Sequence, residues 1–279
     1  EEKLSIAEQY LVPRQREANG LKEGEIRLSK PALQKLITGY TAESGLRNLE
    51  REIGSICRKV ARRFAEGKKK QTLITDAAVA RLLGPPRYLP EEERLENEVG
   101  VATGLAWTEV GGEILYVEVS VMKGKGELAL TGHLGEVMKE SAHAARSYAR
   151  THAKELGIDP NLFEGRDIHV HVPAGAIPKD GPSAGVTMAT ALVSALSGRK
   201  VSKDVAMTGE LTLRGKVLPI GGLKEKALAA LRAHIKTVII PNQNEKDLTD
   251  IPRTLRSKLE FVLARDIDDV LRVALEPLE

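Results

Sequence analysis

Along residues 1–83 the apolar positions recur at spacings of three and four, the periodicity of helices that bury one face. The clearest run is SGLRNLEREIGSICRKVARRFAEG, where Leu46, Leu49, Ile53, Ile56, Val60 and Phe64 fall on one stripe. KLSIAEQYLVPRQREANG is a second amphipathic stretch, with Pro13 predicting a break and Gly20 a stop. In SKPALQKLITGY, Ser29 stands at an N-cap position and Pro31 in the first turn. Thr75 or Asp76 then caps a short helix ending near Leu83. No segment of this stretch predicts a strand, so it reads as an all-α helical bundle.

The pattern changes at GPPRYLPEEERLENE (84–98), which carries three prolines and a charge run and predicts a linker. We place the domain boundary there, giving domains 1–90 and 91–279. Beyond it, strand and helix periods interleave. EILYVEVSVMKG (113–124) and GELALTG (126–132) predict a hairpin joined near KGKG. A long helix is predicted over 134–157, a strand over RDIHVHVP (166–173), and a helix over 183–197 ended by Gly198. Residues 204–222 predict short strands around turns at Gly209 and Gly215. A helix over 223–234, strands over 235–241 and 259–264, and a closing helix over 267–275 follow. Neither a Rossmann nor a P-loop opening is present, and the class is α+β.

Composition narrows this little. The 279 residues are 42% hydrophobic and 29% charged, with only 3% aromatics, so the core rests on Leu, Val, Ile and Ala. A formal charge of +3 does not nominate nucleic acid as the main partner. The single cysteine, Cys57, excludes an internal disulfide framework and fits a reducing compartment. No apolar run suggests a membrane span. The first residues are Glu-Glu rather than Met, the pattern expected of a piece of a longer protein or of a processed product.

The chemistry centres on PKDGPSAGVTMATALVSAL, where Ser183 sits as a Gly/Pro-rich turn runs into an apolar helix. Unpaired N–H groups at a helix start can hold an oxyanion, and Gly181 and Gly185 let a substrate backbone approach. The plainer reading is a capping serine, with Asp180 able to cap as well. A base has to come from elsewhere. His169 and His171, two apart on a strand, share a face and suit either a triad or a metal; zinc would need a third ligand such as Glu118, and no HExxH or paired-cysteine spacing supports it. The alternative base is a lysine in GGLKEKALAALRAH, whose amine desolvation can make neutral. Lys226 shares a helical face with Leu223, Ala230 and Ala233, and Lys224 lies near Ala227, Leu228 and Leu231, so periodicity does not choose between them.

PKDGPSAG followed by MTGELTLRGKVLPIGGLKEK resembles the protease domain of the Lon family of ATP-dependent serine proteases. The likeness extends upstream through GLAWTEVGGEILYVEVSVMKGKGELALTGHLGEVMKESAHAA and DIHVHVPAGAIPKDGPSAG, and downstream through IKTVIIPNQNEKDL, from about residue 95 onward. The resemblance implies a catalytic pair of Ser183 and Lys226, with Thr208 holding the lysine amine and Asp180 shaping the site. It gives Glu118, His169 and His171 supporting or oligomer-contact roles, and assigns no metal. It also implies a protease fold related to the second domain of ribosomal protein S5. The helical front resembles the small α-helical lid of an AAA+ ATPase module, with ESGLRNLEREI similar to the sensor-2 motif. That would put Arg47 near the γ-phosphate of ATP in a whole module.

The chain has no G-x-x-x-x-G-K-[ST] phosphate cradle. Peptide hydrolysis by these residues is therefore expected to need no cofactor, with ATP and magnesium belonging to the full-length protein. The resemblance further implies unfolded or damaged proteins as substrates, a homo-hexamer, and a cytoplasmic setting or the mitochondrial matrix, with no membrane. An alternative is a DNA-binding or ring-forming scaffold module. RKVARRFAEGKKK (58–70), with Lys68, Lys69 and Lys70 at its end, could meet DNA phosphates, whereas the bland reading is a solvated helix face.

Overall fold

The structure, a computed structural model, describes residues 2–43, 45–67, 72–88, 96–108, 111–173 and 179–277. The chain divides into two compact units, Glu1–Glu91 and Glu92–Glu279. Residues 89–95 of the expected linker, and Lys68, Lys69 and Lys70 of the basic stretch, lie outside the described residues.

The first unit is helical. It contains α1 (Glu2–Ile6), α2 (Val12–Ala18), α3 (Lys30–Gly39), α4 (Arg47–Ala65) and α5 (Asp76–Leu83). Pro13 does not break the helix as expected. A π-helical turn over Ala7–Leu11 joins α1 to α2, and the Val12 N–H bonds back to the Ala7 carbonyl. The wider turn offsets the clash and the missing donor that a proline brings to an α-helix. Ser29 and Thr75 cap as expected, accepting from Ala32 N and Ala78 N at 3.3 Å each. The stripe on α4 is the core: Leu49, Ile53, Ile56 and Val60 are fully buried with Leu33, Leu36 and Val79.

The all-α reading needs one correction. β1 (Ile26–Leu28) and β2 (Thr72–Ile74) form a parallel pair, with Ser29 N donating to Ile74 O at 3.0 Å. Each strand runs directly into a capped helix, and three residues are too few for a period of two to show.

The second unit is built on a seven-stranded sheet. In chain order it contains β3 (Glu98–Val99), β4 (Val101–Thr108), β5 (Gly111–Lys123), β6 (Leu128–Thr131), α6 (Glu136–Thr151), β7 (Arg166–His171) and α7 (Gly185–Ser197). Then come β8 (Lys200–Val201), β9 (Val205–Met207), β10 (Glu210–Leu211), β11 (Val217–Leu218), α8 (Leu223–Arg232), β12 (Thr237–Pro241), α9 (Arg253–Arg256), β13 (Glu260–Ala264) and α10 (Ile267–Ala274). The sheet order is β13-β12-β9-β4-β5-β7-β6. Neighbours from β13 to β4 run parallel, β5 is antiparallel to both β4 and β7, and β6 is parallel to β7.

Alternation along the strands sends side chains to two cores. Leu115, Val117, Ile168, Val170 and Met207 pack with α6, α7 and α10. Leu105, Ile114, Ala206, Val238 and Ile240 pack with α8. The helices α7 and α8 thus cover opposite faces of the sheet.

The expected hairpin of β5 and β6 does not form, because β7 lies between them. The connection after β5 is tied to β7 instead. Gly124 N donates to Gly165 O at 3.1 Å, and the Asp167 carboxylate accepts from Lys125 N at 2.7 Å and Glu127 N at 2.9 Å. Those backbone hydrogen bonds also lower the Asp167 pKa. Among the described residues no helix is long and apolar enough to cross a membrane.

Candidate functional site

Ser183 lies in a 3-10 turn, Pro182–Ala184, that runs straight into α7. It does not cap the helix: the N-cap residue of α7 is Ala184, which makes no side-chain capping bond. Asp180 does not cap α7 either. Its carboxylate accepts from Met138 N at 3.1 Å and from Gly181 N at 2.9 Å. It thereby caps α6, whose own N-cap residue, Gly135, has no side chain to offer. A Cβ on Gly135 would come within 2.2 Å of the Asp180 carboxyl carbon, so glycine there lets the carboxylate reach the helix. Pro178 and residues 174–177 before this segment lie outside the described residues.

The turn is fastened on its other side to the loop after β9. The Ser183 carbonyl accepts from Gly209 N at 2.9 Å and, weakly, from Thr208 Oγ1 at 3.4 Å. Val186 N returns a bond to Gly209 O at 3.1 Å. Gly185 sits so close to the strand that follows that a Cβ would meet Leu211 N at 2.8 Å.

Lys226 approaches from the opposite face of the sheet. Gly222, at φ +68°, sets the start of α8. One turn later Lys226 N bonds to Gly222 O at 3.0 Å, and the side chain runs inward, 2% exposed. Its Nζ donates to Thr208 Oγ1 at 3.0 Å. Burial pushes the amine pKa from 10.5 down to about 8, because a charge is poorly solvated there. Lys224, its rival on the helical wheel, is exposed. Thr208, 1% exposed, is anchored by its own N–H to Ile239 O at 3.1 Å, which fixes it at the carboxyl end of β9. One hydroxyl therefore touches both the Lys226 amine and the Ser183 carbonyl.

The structure joins Lys226 to Thr208 through their side chains and Thr208 to the Ser183 main chain, with Asp180 holding the serine segment on α6. Glu118, His169 and His171 form a separate group on the sheet. Glu118 stands opposite His171 in the β5–β7 register. The Thr131 hydroxyl meets His169 Nε2 at 2.8 Å and His171 Nδ1 at 2.7 Å. Among the described residues no three His, Cys, Asp or Glu side chains converge as a ready-made metal site. Arg47 is exposed at the first residue of α4, in the other unit. A single guanidinium suits a phosphate oxygen but is no cradle for a nucleotide.

Two supports carried no sequence signal of their role. Gly112 is where β5 touches α8: a Cβ there would lie 2.0 Å from Glu225 O and 2.9 Å from Lys226 N. Arg232, at the far end of α8, donates to the Gly112 carbonyl. Asn244 is buried and clamps the chain entering α8, accepting from Ile220 N at 3.0 Å and donating to Ile220 O at 2.8 Å. Gly112→Ala should push the first turn of α8 off the sheet. We expect a loss of roughly 1–3 kcal/mol, the usual range for overpacking, measurable by urea unfolding. Unchanged stability would mean that the contact is slack.

Comparison with known proteins gives the lineage. The family profile for the Lon protease (S16) C-terminal proteolytic domain matches residues 73–277, and that for the Lon protease AAA+ ATPase lid domain matches residues 17–73. The Lon protease of Geobacter metallireducens is 65% identical over 276 residues, 99% of this chain and 34% of that protein. The Lon protease of Desulfatibacillum aliphaticivorans is 60% identical over 278 residues, 100% of this chain and 34% of that protein. Lon protease 1 of Myxococcus xanthus is 58% identical over 274 residues, 98% and 34% respectively. The chain thus spans about a third of the length of these relatives. With a proteolytic-domain profile covering most of its residues and relatives this similar along nearly all of it, the chain belongs to the Lon protease family.

Proposed function

We propose that this chain hydrolyses peptide bonds of unfolded or damaged proteins, with Ser183 as nucleophile and Lys226 as its general base. The observation that carries the reading is the Lys226 amine: buried, depressed to about 8, and held by the same threonine that meets the serine's backbone. An amine is useful as a base only when neutral near working pH, and desolvation supplies that here.

In the proposed reaction neutral Lys226 takes the Ser183 proton as the hydroxyl attacks the peptide carbonyl. The partial positive charge at the start of α7, next to the serine turn, stabilises the tetrahedral oxyanion. The lysine ammonium then protonates the leaving amine, giving an acyl-enzyme. Water, deprotonated by Lys226, releases the acid and restores the serine. Thr208 positions the amine throughout, and Asp180 keeps the serine segment docked. No step requires a metal or nucleotide. ATP and magnesium are assigned to the rest of a full-length protein, where Arg47 would face the phosphate.

The direct test is cleavage of an unfolded protein without ATP by this chain and by Ser183→Ala. Cleavage by the first and none by the second is expected, together with a reversible peptide-boronate adduct on Ser183 seen by mass spectrometry. Equal turnover by Ser183→Ala would remove the serine from the mechanism. By the same family likeness we propose a cytoplasmic homo-hexamer, which sedimentation would report as six chains.

A further inference from the structure

We propose that the outer face of β5, β7 and β6 binds one imidazole-preferring divalent metal ion, zinc(II) in the first instance, with His169 and His171 as its protein ligands. The proposed dyad has no use for these two rings. They lie two residues apart on β7, which is paired on both sides, to β5 and to β6, so their backbone is fixed. Residues at this spacing project from the same face of a strand. Their ring centroids are 6.3 Å apart and the planes are inclined at 65°. One nitrogen from each ring reaches the same oxygen, Thr131 Oγ1.

Two nitrogens aimed at one point are half of a zinc coordination shell. A hydroxyl has one proton, so it can donate to only one of the two rings. One ring nitrogen therefore turns a lone pair to the hydroxyl and the other an N–H, and a tautomer exchange in that second ring frees the second lone pair when an ion enters. Inserting an ion between the nitrogens, at about 2.0–2.1 Å from each, takes rotamer adjustment of half-buried rings rather than backbone movement. Glu118 occupies the facing position to His171 on β5, where opposed Cβ atoms are about 4.5–5.5 Å apart, and can supply a carboxylate oxygen. Water completes the shell. Since no third protein ligand is already in place among the described residues, the site is open and exchangeable, unlike a closed structural zinc site.

Imidazole donors select zinc, copper and nickel, whereas magnesium and calcium prefer all-oxygen sites. The ligand is thus distinct from any magnesium that accompanies ATP.

The test is a titration of zinc chloride into the 279-residue chain at about pH 7.5, followed by calorimetry and by the histidine ring-proton NMR signals. We expect one site, with saturable shifts of the His169 and His171 resonances at one equivalent. His169→Gln and His171→Gln should each weaken binding by about tenfold or more, and the double variant should lose it. His143→Gln, exposed on α6, should leave it unchanged. Lowering the pH to about 5.5 should weaken binding, since protons compete for the same lone pairs. Magnesium chloride should not displace zinc. The NMR readout needs no variant, so a misfolded mutant cannot obscure the answer. Unmoved His169 and His171 signals at one equivalent, or a double variant that binds as tightly as the parent chain, would overturn the site. Neither outcome depends on protease activity, so failure here and failure of the dyad are separable.

Discussion

Peptide hydrolysis by this chain should rise with pH through about 8, the value to which burial brings the Lys226 amine, and then level off. Below that pH the amine is protonated and cannot accept the Ser183 proton, so kcat/KM should fall by about tenfold for each further unit. Lys226→Met removes the base while keeping an unbranched side chain of similar length. Its activity should drop by on the order of 10³-fold or more, because members of a nucleophile–base pair act as a unit. Any residue of turnover should lose the inflection near 8. Thr208→Val separates positioning from chemistry. It deletes the hydroxyl that receives the amine at 3.0 Å, and should lower kcat and move the inflection while leaving KM nearly unchanged. A profile for the parent chain that is flat between about pH 6 and 10 would contradict a lysine base. So would a Lys226→Met enzyme that retains the same inflection.

How far the sequence could be read depended on how local each feature was. The stripe on α4 and the caps at Ser29 and Thr75 were legible because both depend on neighbours within two turns. β4 was missed. It lies inside the sheet with four consecutive buried residues, Ala102–Leu105, so the alternation that marks a half-exposed strand is absent. KGKG is a fair hairpin signal, yet the partner that takes the edge of β5 comes from Arg166–His171, far downstream.

The site shows the same limit. Ser183 stood out from its turn, but whether it capped a helix depended on Asp180 reaching across to α6. Lys224 and Lys226 were equivalent on a wheel because a wheel has no sheet beneath it. Gly112 and Thr208, which decide where the lysine goes, lie on other elements. The family resemblance selected Lys226 before the geometry did, and the geometry supplies a physical reason in burial.

That burial has a cost that unfolding should expose. In the unfolded chain the lysine amine keeps its ordinary value of 10.5, while in the folded state it is about 8. Below about 8 both states carry the proton, and the native state holds a buried charge at full cost. Between about 8 and 10.5 the unfolded state binds a proton that the native state does not, so this group makes stability rise with pH. Above 10.5 the penalty is gone. A shift of this size corresponds to roughly 3 kcal/mol at neutral pH, from about 1.4 kcal/mol per unit. Lys226→Met carries no such charge. It should therefore be more stable than the parent chain near pH 7 by about 2–3 kcal/mol, less whatever the Thr208 hydroxyl loses with its partner, about 1 kcal/mol. By about pH 10.5 the advantage should vanish or reverse. Urea unfolding of both proteins across this range measures the difference directly, and titration of the other side chains cancels in it. A stability gap that stays constant from pH 7 to 10.5 would mean that the amine is not depressed, and the neutral base would lose its footing without a single activity assay.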